Sequence, residues 1–437
     1  MAERDPARGV ALAALRAVRE RGAYANLVLP ALLAERGITG RDAALATELT
    51  YGTARTAGVL DEILAACAAR SIDPEVGDVL RLGAYQVLRT RIPTYAAVAT
   101  TVSLARSDGR PQVAGFVNAV LRRVTELDWS GWTNRLGAGR SELARLALRY
   151  AHPEWIAAAF RDALGGDLAE TAAALAADDE RPATHLVARP GRIERAELAE
   201  LTGGQPGPYS PYAVWLDGGD PGGFDPVRDG RAAVQDEGSQ LCAIAVATAP
   251  LDGRDERWLD MCAGPGGKAA VLAGLAAPRA ARLTAVELRP HRAELVRAAT
   301  AAWDVDVVVA DAAALPRPDD GFDRILLDAP CTGLGALRRR PEARWRRTEA
   351  DLTELTALQA RLLTAAVRLV RPGGLIGYVT CSPHLAETAA IVGGQPLRDA
   401  RPAFPAVPGL GPGPTVQLWP HQHGTDAMFC AFIQPGA

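Results

Sequence analysis

Two cysteines stand at the carboxyl ends of strand-like apolar runs, one in 328-DAPCTG-333 and one in 375-LIGYVTCSPH-384. Because ligands of parallel α/β sheets bind at the carboxyl ends of the strands, Cys331 and Cys381 are candidates for a reactive thiol pair. A lone cysteine in such a position is more often an ordinary buried residue. Two of them beside a ligand-binding turn favour covalent catalysis, in which a thiolate attacks a substrate atom.

A glycine-rich turn precedes both cysteines, in 260-DMCAGPGGK-268. Such a turn between a strand and a helix brings backbone N–H groups close to a ligand. Its spacing is neither a Walker A loop nor a complete GxGxxG, which disfavours phosphate or dinucleotide binding. Glu287 ends the next strand and could accept hydrogen bonds from ribose hydroxyls, and Asp311 ends the one after and could accept from an adenine amino group. Each acid has an alternative role as a helix N-cap, but together with the turn they describe a nucleoside-shaped pocket.

The elements that would position these residues lie from residue 236 onward, where strand-like and helical runs alternate. This alternation predicts a parallel sheet with helices on both faces. The predicted strands are 257–263, 282–288, 305–311, 322–328 and 375–381.

The first part of the chain has a different pattern. Apolar residues recur at helical spacing over 1–128, which predicts an all-α bundle, with breaks at Gly37, Pro74, Pro93 and Pro111. Residues 129–235 predict a bridge of linker helices and a small mixed α/β segment. We therefore expect three parts, namely 1–128, 129–235 and an α/β domain over 236–437.

Length and composition exclude several classes of protein. A chain of 437 residues predicts two or three domains, and 48% hydrophobic with 23% charged residues is ordinary for a globular protein. No run approaches the ~20 apolar residues of a membrane span, and the first residues show no signal-peptide core. We therefore expect a cytoplasmic protein that binds no membrane. Six cysteines without a CxxC do not indicate a disulfide framework or a structural zinc site.

A possible metal motif near the end of the chain is weak. His421 and His423 in 421-HQHGTD-426 lack a convincing third and fourth ligand, so no metal is expected.

The motifs carry a resemblance to a known family. RNA 5-methylcytosine methyltransferases that use S-adenosylmethionine are similar to this chain in 260-DMCAGPGGK-268, 328-DAPCTGLGALRRRPEARW-345 and 379-VTCSP-383. The first part of the chain resembles the NusB-like RNA-binding bundle in 46-ATELTYGTAR-55, 81-RLGAYQVLR-89 and 115-GFVNAVLRRV-124. This combination is typical of the RsmB (Sun or Fmu) family, which methylates small-subunit ribosomal RNA. The resemblance implies a NusB-like bundle followed by a class I, Rossmann-like methyltransferase domain.

The resemblance also implies roles for residues. Cys381 would be the nucleophile that adds to carbon 6 of cytosine, and Cys331 would assist release of the adduct by helping remove the proton from carbon 5. Asp328 would hydrogen-bond the cytosine ring and border the cofactor. The S-adenosyl-L-methionine site would comprise Cys262, Ala263, Gly264, Pro265, Gly266, Gly267, Lys268, Glu287, Asp311 and Asp328.

Basic residues add two expectations. The chain has 48 of them, and Lys268 alone is lysine. Because a tight polar turn can hold a compact ammonium where the wider Arg does not fit, we expect Lys268 to hold the turn or the cofactor carboxylate. The cluster 338-RRRPEARWRR-347 suits phosphate contact and base stacking, with a solvated helix face as the alternative. The expected RNA-binding residues are Arg338, Arg339, Arg340, Arg344, Trp345, Arg346 and Arg347.

Several departures and alternatives remain open. The chain has Glu387-Thr388 where the family often has Glu-Asn, and 424-GTDAMF-429 departs from the family's Gly-Asp-Gly-Phe-Phe-like segment. The same chemistry could act on transfer RNA or another RNA, and a non-catalytic RNA-binding assembly or antitermination factor is the rival of a different class. A DNA cytosine methyltransferase would use the Pro-Cys thiol instead, so the Thr-Cys motif at Cys381 argues against it. We expect a monomer whose partner is ribosomal RNA.

Overall fold

The computed structural model describes residues 5–436, and they form two compact units. The first unit comprises the chain up to Glu180 together with Leu337–Thr348, and the second comprises Arg181–Ala336 and the chain from Glu349 onward. The segment predicted as a bridge, 129–235, is thus divided between the two units. Over the described residues, no helix combines the length and the apolar character that a membrane crossing requires.

The helices supply most of the first unit and flank the sheets of the second. In chain order they are α1 (Pro6–Arg21), α2 (Ala25–Glu35), α3 (Gly40–Cys67), α4 (Pro74–Arg89), α5 (Thr94–Ser107), α6 (Ala114–Val124), α7 (Trp129–Leu136), α8 (Glu142–Arg149), α9 (Glu154–Ala163), α10 (Leu168–Asp179), α11 (Arg195–Thr202), α12 (Asp225–Arg228), α13 (Glu237–Thr248), α14 (Gly267–Ala276), α15 (Pro290–Thr300), α16 (Ala343–Arg346), α17 (Ala350–Leu369), α18 (Ala389–Val392) and α19 (Pro420–His423).

The strands all belong to the second unit. They are β1 (Thr184–Ala188), β2 (Gln205–Pro206), β3 (Ala213–Leu216), β4 (Ala232–Val234), β5 (Arg257–Asp260), β6 (Arg282–Glu287), β7 (Val305–Val309), β8 (Phe322–Asp328), β9 (Val370–Thr380), β10 (Leu397–Arg398), β11 (Val416–Gln417) and β12 (Phe429–Ile433).

The first unit is an all-α bundle, as predicted, and its helix boundaries follow local signals. Asp5, Asp73 and Asp128 each cap a helix by accepting a hydrogen bond from a backbone N–H of its first turn. Proline stands at the start of α1 and α4, where its missing N–H costs nothing. The largest apolar cluster of this unit includes Leu60 and Leu80, both fully buried.

The second unit contains the predicted parallel sheet. Its strand order is β10-β12-β9-β8-β5-β6-β7, and the pairs from β9 to β7 are parallel. The chain runs outward from β5 to β7 and then returns to β8 on the other side of β5. This reversal creates the crevice between β5 and β8 at which ligands of open α/β sheets bind.

The five predicted strands are all present, but β12 was not predicted. It pairs antiparallel with β9 and is buried along its whole length. A short, continuously apolar run such as 429-FCAFI-433 has no alternation to distinguish it as a strand. A second sheet, with order β2-β3-β1-β4, is antiparallel and occupies the region predicted as a small mixed segment.

Candidate active site

The two cysteines lie side by side at the carboxyl ends of neighbouring parallel strands. Cys381 directly follows β9, and Cys331 lies three residues after the end of β8. Their Sγ atoms are 3.4 Å apart, within hydrogen-bonding distance for sulfur, and both residues are partly exposed. The pairing of β8 with β9 therefore brings together two thiols that are 50 residues apart in the sequence.

The surroundings of Cys331 disfavour the loss of its proton. The hydrogen bond with Cys381 raises the pKa of Cys331 well above its ordinary value, and burial and the nearby Glu387 and Asp328 carboxylates add to the effect. Either sulfur can donate the hydrogen bond between them, so the two thiols are close enough to exchange a proton.

The single lysine bridges the crevice between β5 and β8. The Nζ atom of Lys268 donates to Oδ2 of Asp328 at 2.8 Å, and the Lys268 side chain is only 11% exposed. Burial by itself would lower the pKa of Lys268, but the adjacent Asp328 carboxylate outweighs it and raises the pKa above its ordinary value. Lys268 thus holds the glycine-rich turn to the end of β8.

A fourth acid, Asp260, completes the site and was not singled out from the sequence. It ends β5 and is fully buried. Its Oδ1 accepts from the backbone N–H of Cys262 at 3.3 Å, whereas Oδ2 has no hydrogen-bond partner among the described residues. Burial, reinforced by the Asp328 carboxylate, raises the pKa of Asp260 to about 7. The sequence did contain a signal for Asp260, because it is an acid at the end of the first predicted strand of the parallel sheet.

The glycine-rich turn is shaped by close approach to its neighbours. A Cβ atom on Gly264 would lie 2.1 Å from Oε2 of Glu287. Gly266 has φ of +110°, and a Cβ there would lie 2.5 Å from the Cβ of Ala299. Only glycine fits both positions, so the turn can pass directly over the end of β6 and lead into α14.

The two other predicted acids lie at strand ends but differ in burial. Glu287 is buried, accepts from the backbone N–H of Arg289 at 2.9 Å and lies 3.6 Å from a guanidinium nitrogen of Arg292. Asp311 is exposed, and it accepts from the backbone N–H of Ala313 at 3.0 Å. Asp311 therefore makes the hydrogen bond expected of an N-cap residue, whereas Glu287 lies against the glycine-rich turn.

The arginine-rich segment 338–347 belongs to the helical unit, and part of it is enclosed there. Arg344 is fully buried, donates to the backbone oxygen of Ala151 at 2.9 Å and lies 3.2 Å from Oδ2 of Asp178. The indole of Trp345 packs against the helical core and donates to the backbone oxygen of Arg55 at 2.8 Å.

This burial corrects the expected RNA contacts. Arg344 and Arg338 have structural positions, because an enclosed side chain cannot reach a phosphate or a base. Trp345 packs against the helical core but is partly exposed, so its contact with a base stays a prediction. The more exposed members of the segment remain predicted RNA contacts, and these are Arg339, Arg340, Arg346 and Arg347.

The histidines near the end of the chain have structural surroundings. The Nδ1 atom of buried His423 accepts from the backbone N–H of Trp419 at 2.9 Å, and Nε2 lies 2.9 Å from the backbone oxygen of Pro408. His421 lies beside the Trp419 ring. Over residues 5–436, no group of three or more His, Cys, Asp or Glu side chains is arranged to hold a metal ion.

Comparison with known proteins places both units in described families. The family model "16S rRNA methyltransferase RsmB/F" matches residues 247–434, and the NusB family model matches residues 5–126. A Mycobacterium tuberculosis protein described only as a methyltransferase is 57% identical, over 98% of this chain and 96% of that protein. The ribosomal RNA small subunit methyltransferase B of Erwinia tasmaniensis is 32% identical, over 97% of both chains.

The crystal structure of PH0851 shares the fold. It has a TM-score of 0.79 at 21% identity and covers 99% of both chains. With full-length relatives above 30% identity and family models that match both units, the chain belongs to the RsmB/F family of 16S rRNA methyltransferases and carries an N-terminal NusB domain.

Proposed function

We propose that this protein transfers a methyl group from S-adenosylmethionine to carbon 5 of a cytidine in small-subunit ribosomal RNA. The observation that carries the proposal is the pair of thiols 3.4 Å apart at the ends of β8 and β9, beside the Lys268–Asp328 pair. Carbon 5 of cytosine is a poor nucleophile, and a thiolate that adds to carbon 6 activates it. The family to which the chain belongs supports ribosomal RNA as the substrate.

The residues around the glycine-rich turn fit the cofactor. S-adenosylmethionine supplies an electrophilic methyl group on a positively charged sulfonium. Its charge and its ammonium suit a crevice lined by acids, and the free Oδ2 of Asp260 is a buried acceptor without a partner among the described residues. The buried carboxylate of Glu287 would accept from ribose hydroxyls, and Asp311 from the adenine amino group. Backbone N–H groups of the turn 262–268 would line the remainder of the site.

The two thiols divide the covalent chemistry. The Cys381 thiolate would add to carbon 6, forming an S–C bond and leaving carbon 5 electron-rich. Carbon 5 would then take the methyl group while the donor's sulfonium becomes a thioether. Loss of the carbon 5 proton, assisted by Cys331, would break the S–C bond and release the Cys381 thiolate. Asp328 would hydrogen-bond the ring and thereby favour the initial addition.

The RNA must present its target base outside the stack for Cys381 to reach carbon 6. We propose that the more exposed arginines of segment 338–347 contact phosphates during this step, whereas the buried Arg344 stabilises the fold. The monomeric state and the cytoplasmic location expected from the sequence remain predictions.

The test uses radiolabelled S-adenosylmethionine with the wild type, Cys331→Ala and Cys381→Ala. Each is given protein-free small-subunit ribosomal RNA, assembling small subunits and, as a control, a transfer RNA pool. We expect label in 5-methylcytosine of ribosomal RNA, and a denaturant-stable protein–RNA adduct with Cys331→Ala but not with Cys381→Ala.

Other outcomes separate the rivals. Label in transfer RNA alone would keep the mechanism and change the substrate. Full activity of Cys381→Ala would remove the covalent mechanism. Cofactor binding without transfer to any of the three RNA substrates would favour a non-catalytic assembly factor.

A further inference from the structure

A fully buried carboxylate joins the loops that carry the two cysteines. Glu387 lies on the turn after β9, and its side chain has no exposed surface. We propose that Glu387 is the positioning residue that holds Cys331 and Cys381 in contact. Its importance for catalysis rests on the covalent mechanism proposed above. The geometry on which it depends is independent of substrate.

Two of the residues that donate to the Glu387 carboxylate directly follow the cysteines. Oε1 accepts from the backbone N–H of Thr332 at 2.7 Å, and Oε2 accepts from the hydroxyl of Ser382 at 2.6 Å. The Thr332 hydroxyl also donates to Oε2. Because Thr332 follows Cys331 and Ser382 follows Cys381, one carboxylate fixes both loops at once.

A third connection comes from helix α17. The Nε2 atom of buried Gln359 lies 3.1 Å from Oε1 of Glu387 and also donates to the backbone oxygen of Pro330 at 2.8 Å. Pro330 directly precedes Cys331, so the Cys331 loop is held on both sides of the thiol. The Tyr378 hydroxyl donates to the backbone oxygen of Glu387 at 2.8 Å, which anchors the main chain at Glu387 to β9.

The contacts of the Glu387 carboxylate all come from donors, which suits a group that accepts. All four side-chain contacts to Glu387 come from donors, and an ionised carboxylate with about four lone-pair sites matches them. Both hydroxyls can also rotate to accept a hydrogen bond. A glutamine at 387 could therefore keep Oε1 as an acceptor and place its NH₂ group toward the two hydroxyls.

Charge and geometry can thus be separated at one position. Glu387→Gln removes the negative charge and keeps the connections, whereas Glu387→Ala removes both. Because the Glu387 charge contributes to the raised pKa of Cys331, both substitutions should move that pKa toward its ordinary value. Only the alanine variant should let the two sulfurs move apart.

The first measurement is methyl transfer by the full-length protein with the RNA that the wild type methylates. Misplacing a reacting group by about 1 Å costs about 100-fold, so Glu387→Ala should lose about this factor in kcat, and its affinity for S-adenosylmethionine should stay unchanged. Glu387→Gln should recover most of the rate. Ser382→Ala, which removes a single donor, should lose about fivefold and serves if the alanine variant at 387 does not fold. Glu354→Ala, at an exposed glutamate of α17, is the matched control.

The second measurement needs no RNA. Diamide oxidises two neighbouring thiols to a disulfide and takes up their two electrons and two protons. Peptide mass spectrometry should find the Cys331–Cys381 disulfide formed at least about tenfold more slowly in Glu387→Ala than in the wild type or Glu387→Gln, because a disulfide tolerates little change in Cβ separation. The pH dependence of Cys331 alkylation should shift to lower pH in both variants.

The outcomes separate this inference from the proposed function. Wild-type rates of transfer and of disulfide formation in Glu387→Ala would overturn the positioning role. Equal impairment of Glu387→Gln and Glu387→Ala would overturn it too, since geometry would then not distinguish them. An inactive wild type that still shows the difference in disulfide formation would remove the proposed function and leave the positioning role standing.

Discussion

Asp260 provides a quantitative prediction about stability and pH. Its pKa is raised from an ordinary value of 3.8 to about 7, chiefly by burial. The folded protein therefore binds more protons than the unfolded chain between these two values. Stability consequently falls as pH rises through this window, and the loss levels off above about pH 7. A shift of about three pH units corresponds to about 4 kcal/mol in total.

The perturbation is Asp260→Asn, which cannot ionise. Its amide can keep the contact with the backbone N–H of Cys262. Placing an NH₂ group in the crevice has a cost that is the same at every pH. The test is therefore how the difference in unfolding free energy between the two proteins changes with pH. Between pH 5 and pH 8, the free energy of unfolding of the variant minus that of the wild type should increase by about 2.5 kcal/mol.

The assay is urea unfolding of both proteins at intervals across this range, read for the transition of the unit that contains Asp260. Groups that titrate in both proteins cancel in the difference. Asp311→Asn, which removes an exposed carboxylate, is the control and should show a flat difference above pH 5. A difference for Asp260→Asn that is flat to within about 0.5 kcal/mol would refute the reasoning.

Two further predictions concern buried charge pairs. Lys268→Met leaves Asp328 without its cation and should lower the free energy of unfolding by about 2 kcal/mol, a value reduced because Asp328 is partly exposed. Lys268→Arg should recover less than half of this loss. Equal free energies of unfolding for the wild type and both variants in chemical denaturation would contradict the prediction. Arg344→Ala leaves Asp178 buried without its guanidinium partner and should cost about 3–5 kcal/mol in the helical unit. Arg122→Ala, at an exposed arginine, is the control and should change the free energy of the same unfolding transition by less than about 0.5 kcal/mol. Similar losses in Arg344→Ala and Arg122→Ala would argue against a stabilising buried pair.

Local patterns were enough to predict much of the architecture. Proline, glycine and capping residues end helices through short-range sterics and hydrogen bonds, so the breaks at Pro74 and Pro93 coincide with the starts of α4 and α5. Apolar runs followed by turns predicted β5 to β9. The order of strands in such sheets then implied that the residues at their carboxyl ends share one crevice, which is why Cys331 and Cys381 could be paired from the sequence.

Burial and partners were less accessible, because they depend on segments far apart in the chain. The arginine-rich segment has the composition of an RNA contact, yet Arg344 donates to backbone oxygens that are 166 and 193 residues away. Only the packed helices show that this guanidinium is enclosed. Composition cannot distinguish an arginine that completes a core from one that faces a phosphate.

By itself, the sequence indicated the kind of fold, the family and a pair of candidate thiols, because these follow from periodicity, spacing and motif. The reactivity of the two thiols stays a prediction. The tertiary structure decided the state of those groups. It placed Lys268 on Asp328, enclosed Asp260 and gathered the donors of both cysteine loops on Glu387. Proton affinity and position depend on burial and on neighbours in space, and neither is contained in the local sequence.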